Sequence, residues 1–305
     1  MGNIQFALKQ VEPRENSLAI VTGSNQGIGF HVARGLLRVG YSVVLACRSR
    51  EKAEQAMEQL QLEFSEDRLI FMELDLTNFE SVRNFAKQFC SRFTNLNLLI
   101  NNAGIMDTVG TKTSTGLEIQ FATNHLGHFL LTSLLLPFIV NDSRCRVVSL
   151  GSVAHKRAEI HFEDITCFDS GGASQAYAQS KLACLMFSDE LNRRLKENGM
   201  NMLSICAHPG GSASSLFKDT GFWDKLIFQL VGPFLTHSNQ AAAESVLCAA
   251  LSDEMEGGEY IGPQGIMDLK GPPGYAKRTD YSGREDLAKK LWDLSLQLCG
   301  AKFEI

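Results

Sequence analysis

The sequence predicts a single doubly wound α/β domain, with a parallel sheet of about seven strands and helices on both of its faces. Apolar runs of strand length alternate with helix-like stretches along the chain, as expected of strands that are buried on both sides. No linker, repeat or low-complexity segment divides the 305 residues. Apolar residues make up 44% and charged residues 21% of the chain, so one large core can form without stabilising disulfide bonds or a structural metal ion.

The predicted elements follow one another in regular alternation. The first strand, Leu18–Thr22, leads into a glycine-rich turn and a helix that extends to about Gly40. The second strand, Ser42–Ala46, precedes a charged helical pattern over Glu51–Leu62. Further strands are expected at Leu69–Leu74, Asn97–Ile100, Arg146–Leu150 and Met202–Ala207. Their near-continuous apolar character favours parallel pairing in one sheet.

Composition argues against several functional classes. The net charge is −5 and no Lys/Arg-rich run is present, so nucleic acid is not expected as a partner. The eight cysteines are scattered without a Cys-x-x-Cys pair, and the histidines show no ligand spacing with acids. We therefore expect neither a metal site nor a disulfide framework, and the cysteine usage indicates a reducing compartment.

The chain is expected to be soluble and cytoplasmic. Residues 1–16 form a mostly polar N-terminal extension without the pattern of a secretory signal. The longest apolar run, Phe129–Val140, is interrupted by Thr132, Ser133 and Pro137 and is too short for a transmembrane segment. Peripheral contact with a membrane surface is the weaker alternative.

The turn after the first strand has the composition of a phosphate-binding loop. It reads Thr22-Gly23-Ser24-Asn25-Gln26-Gly27-Ile28-Gly29 and opens a helix. Glycines let the backbone turn sharply and approach a pyrophosphate, while the helix N-terminus supplies amides and a positive dipole. An ordinary glycine-rich turn is the alternative, but the position at the first βα junction favours a dinucleotide site.

The end of the second strand predicts the choice of dinucleotide. An acid at this point binds the ribose 2′-hydroxyl in NAD-preferring sites. Here Arg48 stands there instead, with Arg50 and Lys52 close behind, and a guanidinium suits a 2′-phosphate. We therefore predict NADP(H) rather than NAD(H), with a solvated loop charge as the alternative for Arg48.

The end of the third strand supplies candidate contacts for the adenine. Asp75 and Leu76 follow this strand, and the Asp75 carboxylate could accept from the adenine amino group. An N-cap for the next helix, through Asp75 or through Thr77 and Asn78, is an equally good interpretation.

The run Tyr177-Ala178-Gln179-Ser180-Lys181 places a phenol and an ammonium four residues apart. On a helix, both groups project from one face as neighbours. A cation beside a phenol favours the phenolate, which makes the phenol a candidate general acid/base. The pair alone is a weak signal, because it occurs by chance on many helices.

Other motifs follow the later strands. They are Asn101-Asn102-Ala103-Gly104, Asn124-His125-Leu126-Gly127-His128-Phe129, Ser152 and Pro209-Gly210. With the glycine turn and the Tyr177–Lys181 pair, they resemble the short-chain dehydrogenase/reductase family over nearly the whole chain. Within it, the sequence is similar to the retinol-dehydrogenase and WW-domain-oxidoreductase-like branch. The resemblance implies one NAD(P)-binding domain of the Rossmann type over residues 1–305.

The resemblance also implies a role for each matching residue. Tyr177 would exchange a proton with the substrate oxygen, Lys181 would support the phenolate and hold the nicotinamide ribose, and Ser152 would bind the substrate oxygen. Asn124 would hold a water that links Lys181 to solvent. The remaining cofactor contacts implied are Asn102, Ala103, Gly104, Pro209, Gly210 and Ser214.

Three positions depart from the family pattern without removing a catalytic group. Gly151 stands where a serine usually precedes the catalytic serine. Ser214 replaces a threonine and keeps its hydroxyl, and Cys184 stands where this branch usually has asparagine.

The segment 209–238 is a candidate substrate lid. Its apolar residues Phe222, Trp223, Leu226, Ile227 and Leu230 share one helical face. This face predicts an apolar alcohol or carbonyl substrate, such as a retinoid, steroid or lipid aldehyde, although packing on the core or on another subunit is equally compatible.

The family resemblance suggests a homo-oligomer, through the helices around Phe85 and Tyr177. A catalytically silent nucleotide sensor or scaffold is the alternative function.

Overall fold

The structure is a computed structural model that describes residues 4–106, 111–165, 172–211 and 238–305. The predicted cofactor contact Ser214 lies outside these residues. So do the apolar residues predicted to form the lid face, and nearly all of the segment 209–238.

A single sheet of eight strands forms the centre of the described chain, with the order β3-β2-β1-β4-β5-β6-β7-β8. The strands are β1 Leu18–Thr22, β2 Ser42–Cys47, β3 Leu69–Glu73, β4 Leu98–Asn101, β5 Arg146–Leu150, β6 Leu203–Ala207, β7 Tyr260–Pro263 and β8 Pro273–Tyr275. All pairs are parallel except β7 with β8. The expected sheet of about seven strands is corrected to eight, because the short antiparallel strand β8 has no apolar run to mark it.

The strand register brings the functional segments to one edge of the sheet. β1 lies between β2 and β4, with Thr22 opposite Ala46 and Val21 opposite Ile100. The chain crosses from one half of the sheet to the other at this point, since β2 and β3 lie on one side of β1 and β4 to β8 on the other. In doubly wound sheets, ligands bind in the crevice at such a switch point, outside the carboxyl ends of the strands.

Helices cover both faces of the sheet. They are α1 Gly27–Arg38, α2 Arg50–Gln61, α3 Phe79–Arg92, α4 Ile119–Phe121, α5 Gly127–Leu135, α6 Gly172–Glu197, α7 Asn239–Leu251 and α8 Glu285–Cys299, with a π-helical turn at Ala122–Leu126. In one hydrophobic core cluster, strand side chains pack against α1, α2 and α7. In the second cluster, strand side chains pack against α3, α5, α6 and α8. The predicted two-faced arrangement is therefore confirmed.

The C-terminal helix α8 packs on α5 and α6. Trp292 is 2% exposed, and its ring centroid lies 5.0 Å from that of Phe129 and 4.4 Å from that of Phe303. His125 and Ser295 are hydrogen-bonded in the same contact, with Nε2 and Oγ 2.8 Å apart. The chain thus covers this face of α5 and α6 with its own C-terminus. Within the described ranges, no helix has both the length and the apolar character needed to cross a membrane.

Candidate active site

A cavity of about 840 Å³ opens at the carboxyl ends of β1, β2, β4 and β5. This volume is in the range of cofactor sites. The predicted residues that line it are Gly23, Asn25, Gln26, Gly27, Ile28, Gly29, Arg48, Asp75, Leu76, Asn102, Ala103, Gly104, Ser152, Tyr177, Lys181, Pro209 and Gly210. Nearly the whole predicted site is therefore brought together around one cavity.

The glycine turn forms a tight cradle at this cavity. Gly23 and Gly27 have φ of 64° and 62°, in the left-handed region that favours glycine. A Cβ on Gly29 would lie 2.5 Å from the carbonyl oxygen of Gly23, so only glycine fits. No side chain caps the N-terminus of α1, whose first residues line the cavity. An uncapped helix end of this kind fits the pyrophosphate of a dinucleotide.

Ser24, unlike its neighbours in the turn, is not among the residues that line the cavity. Its side chain is buried, and its hydroxyl donates to the carbonyl oxygen of Val21 at 2.8 Å. Local turn chemistry explains the difference, because a short hydroxyl side chain readily bonds to nearby backbone. The Ser24 side chain therefore stabilises the turn through a hydrogen bond inside it.

Arg48 and Lys52 line the end of the cavity next to β2. Arg48 is in no ion pair with any described residue, whereas Arg50 pairs with Glu54 at 3.6 Å and lies over the ring of Phe71. The cavity end thus carries two cationic side chains.

Asp75 lines the same cavity but is not the N-cap of α3. That cap is Asn78, whose Oδ1 accepts from the amides of Glu80 and Ser81. Asp75 Oδ1 instead accepts from the amide and hydroxyl of Thr77, at 3.0 and 2.7 Å. Of the two helix-cap possibilities, the structure selects Asn78.

Ser152, Tyr177 and Lys181 all line the cavity. Ser152 follows β5, and the other two lie on α6. Lys181 is 6% exposed, and its Nζ donates to the carbonyl oxygen of Leu150 at 2.9 Å. This bond holds the ammonium beneath the end of β5, next to the serine.

Asn124 lies behind the cavity and does not line it. It is held in the π-helical turn, where its side chain exchanges two hydrogen bonds with the backbone of Ile105, at 2.9 and 3.0 Å. A Cβ on Gly104 would be 3.3 Å from Lys181 Nζ and 3.4 Å from Asn124 Oδ1, so both groups lie against this glycine. π-helical turns are frequent at functional sites.

Sequence reasoning missed His128, which connects the two halves of the site. Its Nδ1 lies 3.0 Å from the carbonyl oxygen of Asn124 and its Nε2 2.9 Å from Thr22 Oγ1. A carbonyl only accepts, so Nδ1 carries the hydrogen and Nε2 accepts from the hydroxyl. The same hydroxyl accepts from the amide of Ala103 at 2.9 Å. Burial, with Lys181 nearby, lowers the pKa of His128 to about 4, so the ring is neutral at pH 7.

A smaller cavity of about 310 Å³ adjoins the first at Ser152 and Tyr177. It is lined by Met106, Ser152, Val153, Ala154, Arg157, Ser174, Gln175, Tyr177, Ala178, Gly210, Gly211 and Leu269. Ser152, Tyr177 and Gly210 were predicted site residues, whereas the others come from the 3₁₀ turn Val153–Arg157, the start of α6 and three loops, none of which carries a recognisable motif. Since Ser152 and Tyr177, with Met106 and Gly210, line both cavities, a molecule in the smaller cavity would meet a molecule in the larger one next to these residues.

Comparison with known proteins identifies the family. A family model described as short chain dehydrogenase matches residues 17–223. Retinol dehydrogenase 11 of Mus musculus is 37% identical over 284 residues, 93% of this chain and 86% of that protein. Retinol dehydrogenase 12 of Bos taurus is 37% identical over 290 residues, 94% of this chain and 87% of that protein.

Solved structures agree with this result. The crystal structure of an uncharacterized protein from Mycobacterium Paratuberculosis has a TM-score of 0.81 and 32% identity, covering 98% of this chain and 99% of that one. The fold, the arrangement of the motifs around one cavity and these matches lead to one conclusion. The chain belongs to the short-chain dehydrogenase/reductase family of oxidoreductases.

Proposed function

We propose that the protein is an NADP(H)-dependent oxidoreductase that interconverts an apolar alcohol and its carbonyl compound. The observation that carries this proposal is the position of Ser152 and Tyr177, which line both the larger and the smaller cavity. Hydride transfer requires a proton donor or acceptor at the substrate oxygen, next to the reactive ring of the nicotinamide.

Each catalytic residue has a distinct task in this proposal. A bound nicotinamide supplies or accepts the hydride. Tyr177 gives a proton to the substrate oxygen in reduction and takes one in oxidation. Ser152 donates a hydrogen bond to that oxygen and stabilises its developing negative charge. Lys181 supports the phenolate, and Asn124, which lies with it against Gly104, serves proton replenishment from solvent.

The preference for NADP(H) is supported by charge. Arg48 and Lys52 line the cavity where β2 ends, and Arg48 has no anionic partner in the described part of the chain. A 2′-phosphate would supply that partner, since a guanidinium binds phosphate through charge and planar donors.

An apolar substrate is supported mainly by the relatives. The smaller cavity offers apolar surface from Met106, Val153, Ala154, Ala178 and Leu269, beside the polar side chains of Arg157, Ser174 and Gln175. The two relatives that are 37% identical to this chain are retinol dehydrogenases. We extend this to the class of retinoid, steroid or lipid aldehydes and ketones, with the segment 209–238 as the lid.

Location and assembly complete the proposal. The cysteines of the described residues are all free, which supports the reducing conditions of the cytoplasm, and surface contact with a membrane stays the alternative. The homo-oligomer suggested by the family stays a prediction. The predicted contact runs through the helices around Phe85 and Tyr177.

The test measures NADPH oxidation and NADP⁺ reduction with a panel of apolar aldehydes, ketones and alcohols. The wild-type protein should turn over at least one class. Tyr177→Phe should lower kcat by about 1,000-fold or more, since general acid/base catalysis and the transition-state hydrogen bond are both lost. NADPH affinity should change little.

Two outcomes would count against the proposal. Retained turnover in Tyr177→Phe would reject the role of the phenol. A wild-type protein that binds NADPH tightly but turns over nothing in the panel would favour the silent sensor.

A further inference from the structure

The backbone carbonyl of Ser152 accepts hydrogen bonds from three donors. The amide of His155 donates at 3.1 Å, His155 Nδ1 lies at 2.7 Å and the Tyr260 hydroxyl at 3.2 Å. We propose that His155 and Tyr260 are positioning residues, which fix the Ser152 peptide and thereby aim its hydroxyl at the substrate oxygen. This inference rests on the proposed function, because it assigns a task to Ser152 in the same reaction.

His155 is built into the protein as a fixed donor. Its side chain is buried, and it lies in the 3₁₀ turn Val153–Arg157 that Ser152 begins. A carbonyl only accepts, so Nδ1 carries the hydrogen, and Nε2 has no partner among the described residues. A buried ring with one orphaned nitrogen has a cost in stability, which indicates that the bond made by Nδ1 is the reason for its presence.

Tyr260 reaches the same carbonyl from β7. Its hydroxyl lies 3.3 Å from His155 Nδ1, and the two rings meet edge to face at 5.2 Å. The side chain is 3% exposed, so a single geometry is packed in place. His155 and Tyr260 therefore form one rigid unit behind the serine.

Gly151 makes room for this unit. A Cβ at Gly151 would meet Cys206 Sγ at 3.0 Å, Tyr260 Cε2 at 3.1 Å and the Tyr260 hydroxyl at 3.3 Å. The tyrosine ring thus takes the space in which the serine usual at this position of the family would have to fit. The packing of Tyr260 against Gly151 therefore explains why glycine replaces the usual serine at this position.

The consequence for Ser152 concerns the direction of its hydroxyl proton. Ser152 Oγ accepts from the amide of Ala154 at 3.2 Å. That bond occupies a lone pair, and the hydroxyl proton is left to donate into the cavity. A shift of the Ser152 backbone, including Cα, would carry Oγ with it, and a misplacement of about 1 Å at a catalytic group lowers the rate by about 100-fold.

The experiment compares steady-state kinetics, NADPH affinity and Tm for His155→Ala, His155→Asn and Tyr260→Phe. Asparagine places an amide donor close to where Nδ1 lies, so it should recover most of what alanine loses. We expect kcat to fall about 10- to 100-fold in His155→Ala and about 3- to 10-fold in Tyr260→Phe, with KM and NADPH affinity nearly unchanged. His161→Ala and Tyr275→Phe are matched controls outside the site and should keep wild-type kcat.

The outcomes separate this inference from the proposed function. Wild-type turnover together with normal kcat in both His155→Ala and Tyr260→Phe would overturn the positioning role alone. A fall in kcat that asparagine does not recover, and that follows the loss of Tm, would overturn it in favour of a purely structural role. Absence of turnover in the wild-type protein would overturn the proposed function and this inference together. Should His155→Ala not fold, Tyr260→Phe, which removes a single oxygen, decides the question.

Discussion

Arg48 is the residue on which we expect the choice of cofactor to depend. Arg48→Ala should weaken NADPH binding by about 10-fold or more, since a hydrogen bond to a charged group contributes about 1.5–3 kcal/mol. NADH binding should change by less than about twofold, because NADH lacks the 2′-phosphate. Fluorescence titration with both cofactors measures the difference.

Arg50→Ala is the matched control for this change. Arg50 carries the same charge two residues away, does not line the cavity and is held by Glu54 and Phe71. If Arg48→Ala weakened both cofactors equally, the 2′-phosphate would have to be recognised elsewhere.

Buried histidines, among them His125, His128 and His155, make stability depend on pH. Burial lowers the pKa of His125 to about 3 and that of His128 to about 4, from an ordinary value of 6.5. Below pH 6.5 these histidines take up protons in the unfolded chain but stay neutral in the folded protein. Their contribution to the free energy of unfolding is therefore fully present above that pH and is lost as the pH decreases. Between pH 6.5 and 5, His128 alone should remove about 2 kcal/mol.

A variant separates His128 from other titrating groups. Burial raises the pKa of Asp189 to about 6, which acts in the opposite direction, because the folded protein then binds the additional proton. Urea unfolding of wild type and His128→Asn at several pH values should give a smaller pH slope in the variant. Equal slopes would mean that the His128 ring takes up a proton without penalty in the folded state.

At the scale of elements, the loop between β7 and β8 forms one wall of the smaller cavity. Met267 and Asp268 have φ of 55° and 58°, a conformation that is rare outside glycine and common near functional sites. The carbonyl oxygen of Leu269 accepts from the amide of Gly211 at 3.0 Å, which ties the loop to the end of β6. The loop is thereby held with Leu269 against the cavity.

Leu269→Ala should raise KM for apolar substrates by about 10-fold, since loss of one apolar contact in a binding pocket is worth about 1–3 kcal/mol. NADPH affinity should not change. Met267→Ala is the control, because Met267 is 75% exposed and does not line the cavity. An unchanged KM in Leu269→Ala would show that substrate does not use this wall.

How well the sequence predicted an element depended on what marks it locally. β1 and β5 have the bounds that we predicted, because burial on both faces demands mostly apolar strands. β8, with the sequence Pro273-Gly274-Tyr275, has no such pattern and is recognisable only through its pairing with β7. His128 and Tyr260 were missed as site residues for a related reason, since their roles depend on contacts 106 and 108 residues away in sequence.

At the scale of the whole molecule, α8 fastens the C-terminus to the core. Trp292 packs against Phe129, Phe187 and Phe303, and the Arg194 guanidinium lies 4.5 Å from the Trp292 ring centroid. Trp292→Ala should lower the free energy of unfolding by about 3–5 kcal/mol, because it leaves a large cavity. Urea denaturation measures this loss.

Asp293→Ala is the control, since Asp293 is the exposed next residue of the same helix. Its effect should stay within about 0.5 kcal/mol. A loss for Trp292→Ala no larger than that of the control would mean that α8 contributes little to the fold.

Tyr260 lies outside residues 17–223, the range that the family model matches, yet its hydroxyl contacts the carbonyl of Ser152. The contact that we propose to position Ser152 therefore involves a residue outside the portion of chain that the family model matches. A chimaera joined near residue 223 would combine a nucleotide-binding half from one parent with a Tyr260 equivalent from another. Crossover points placed beyond β8 would keep both partners of this contact from the same parent.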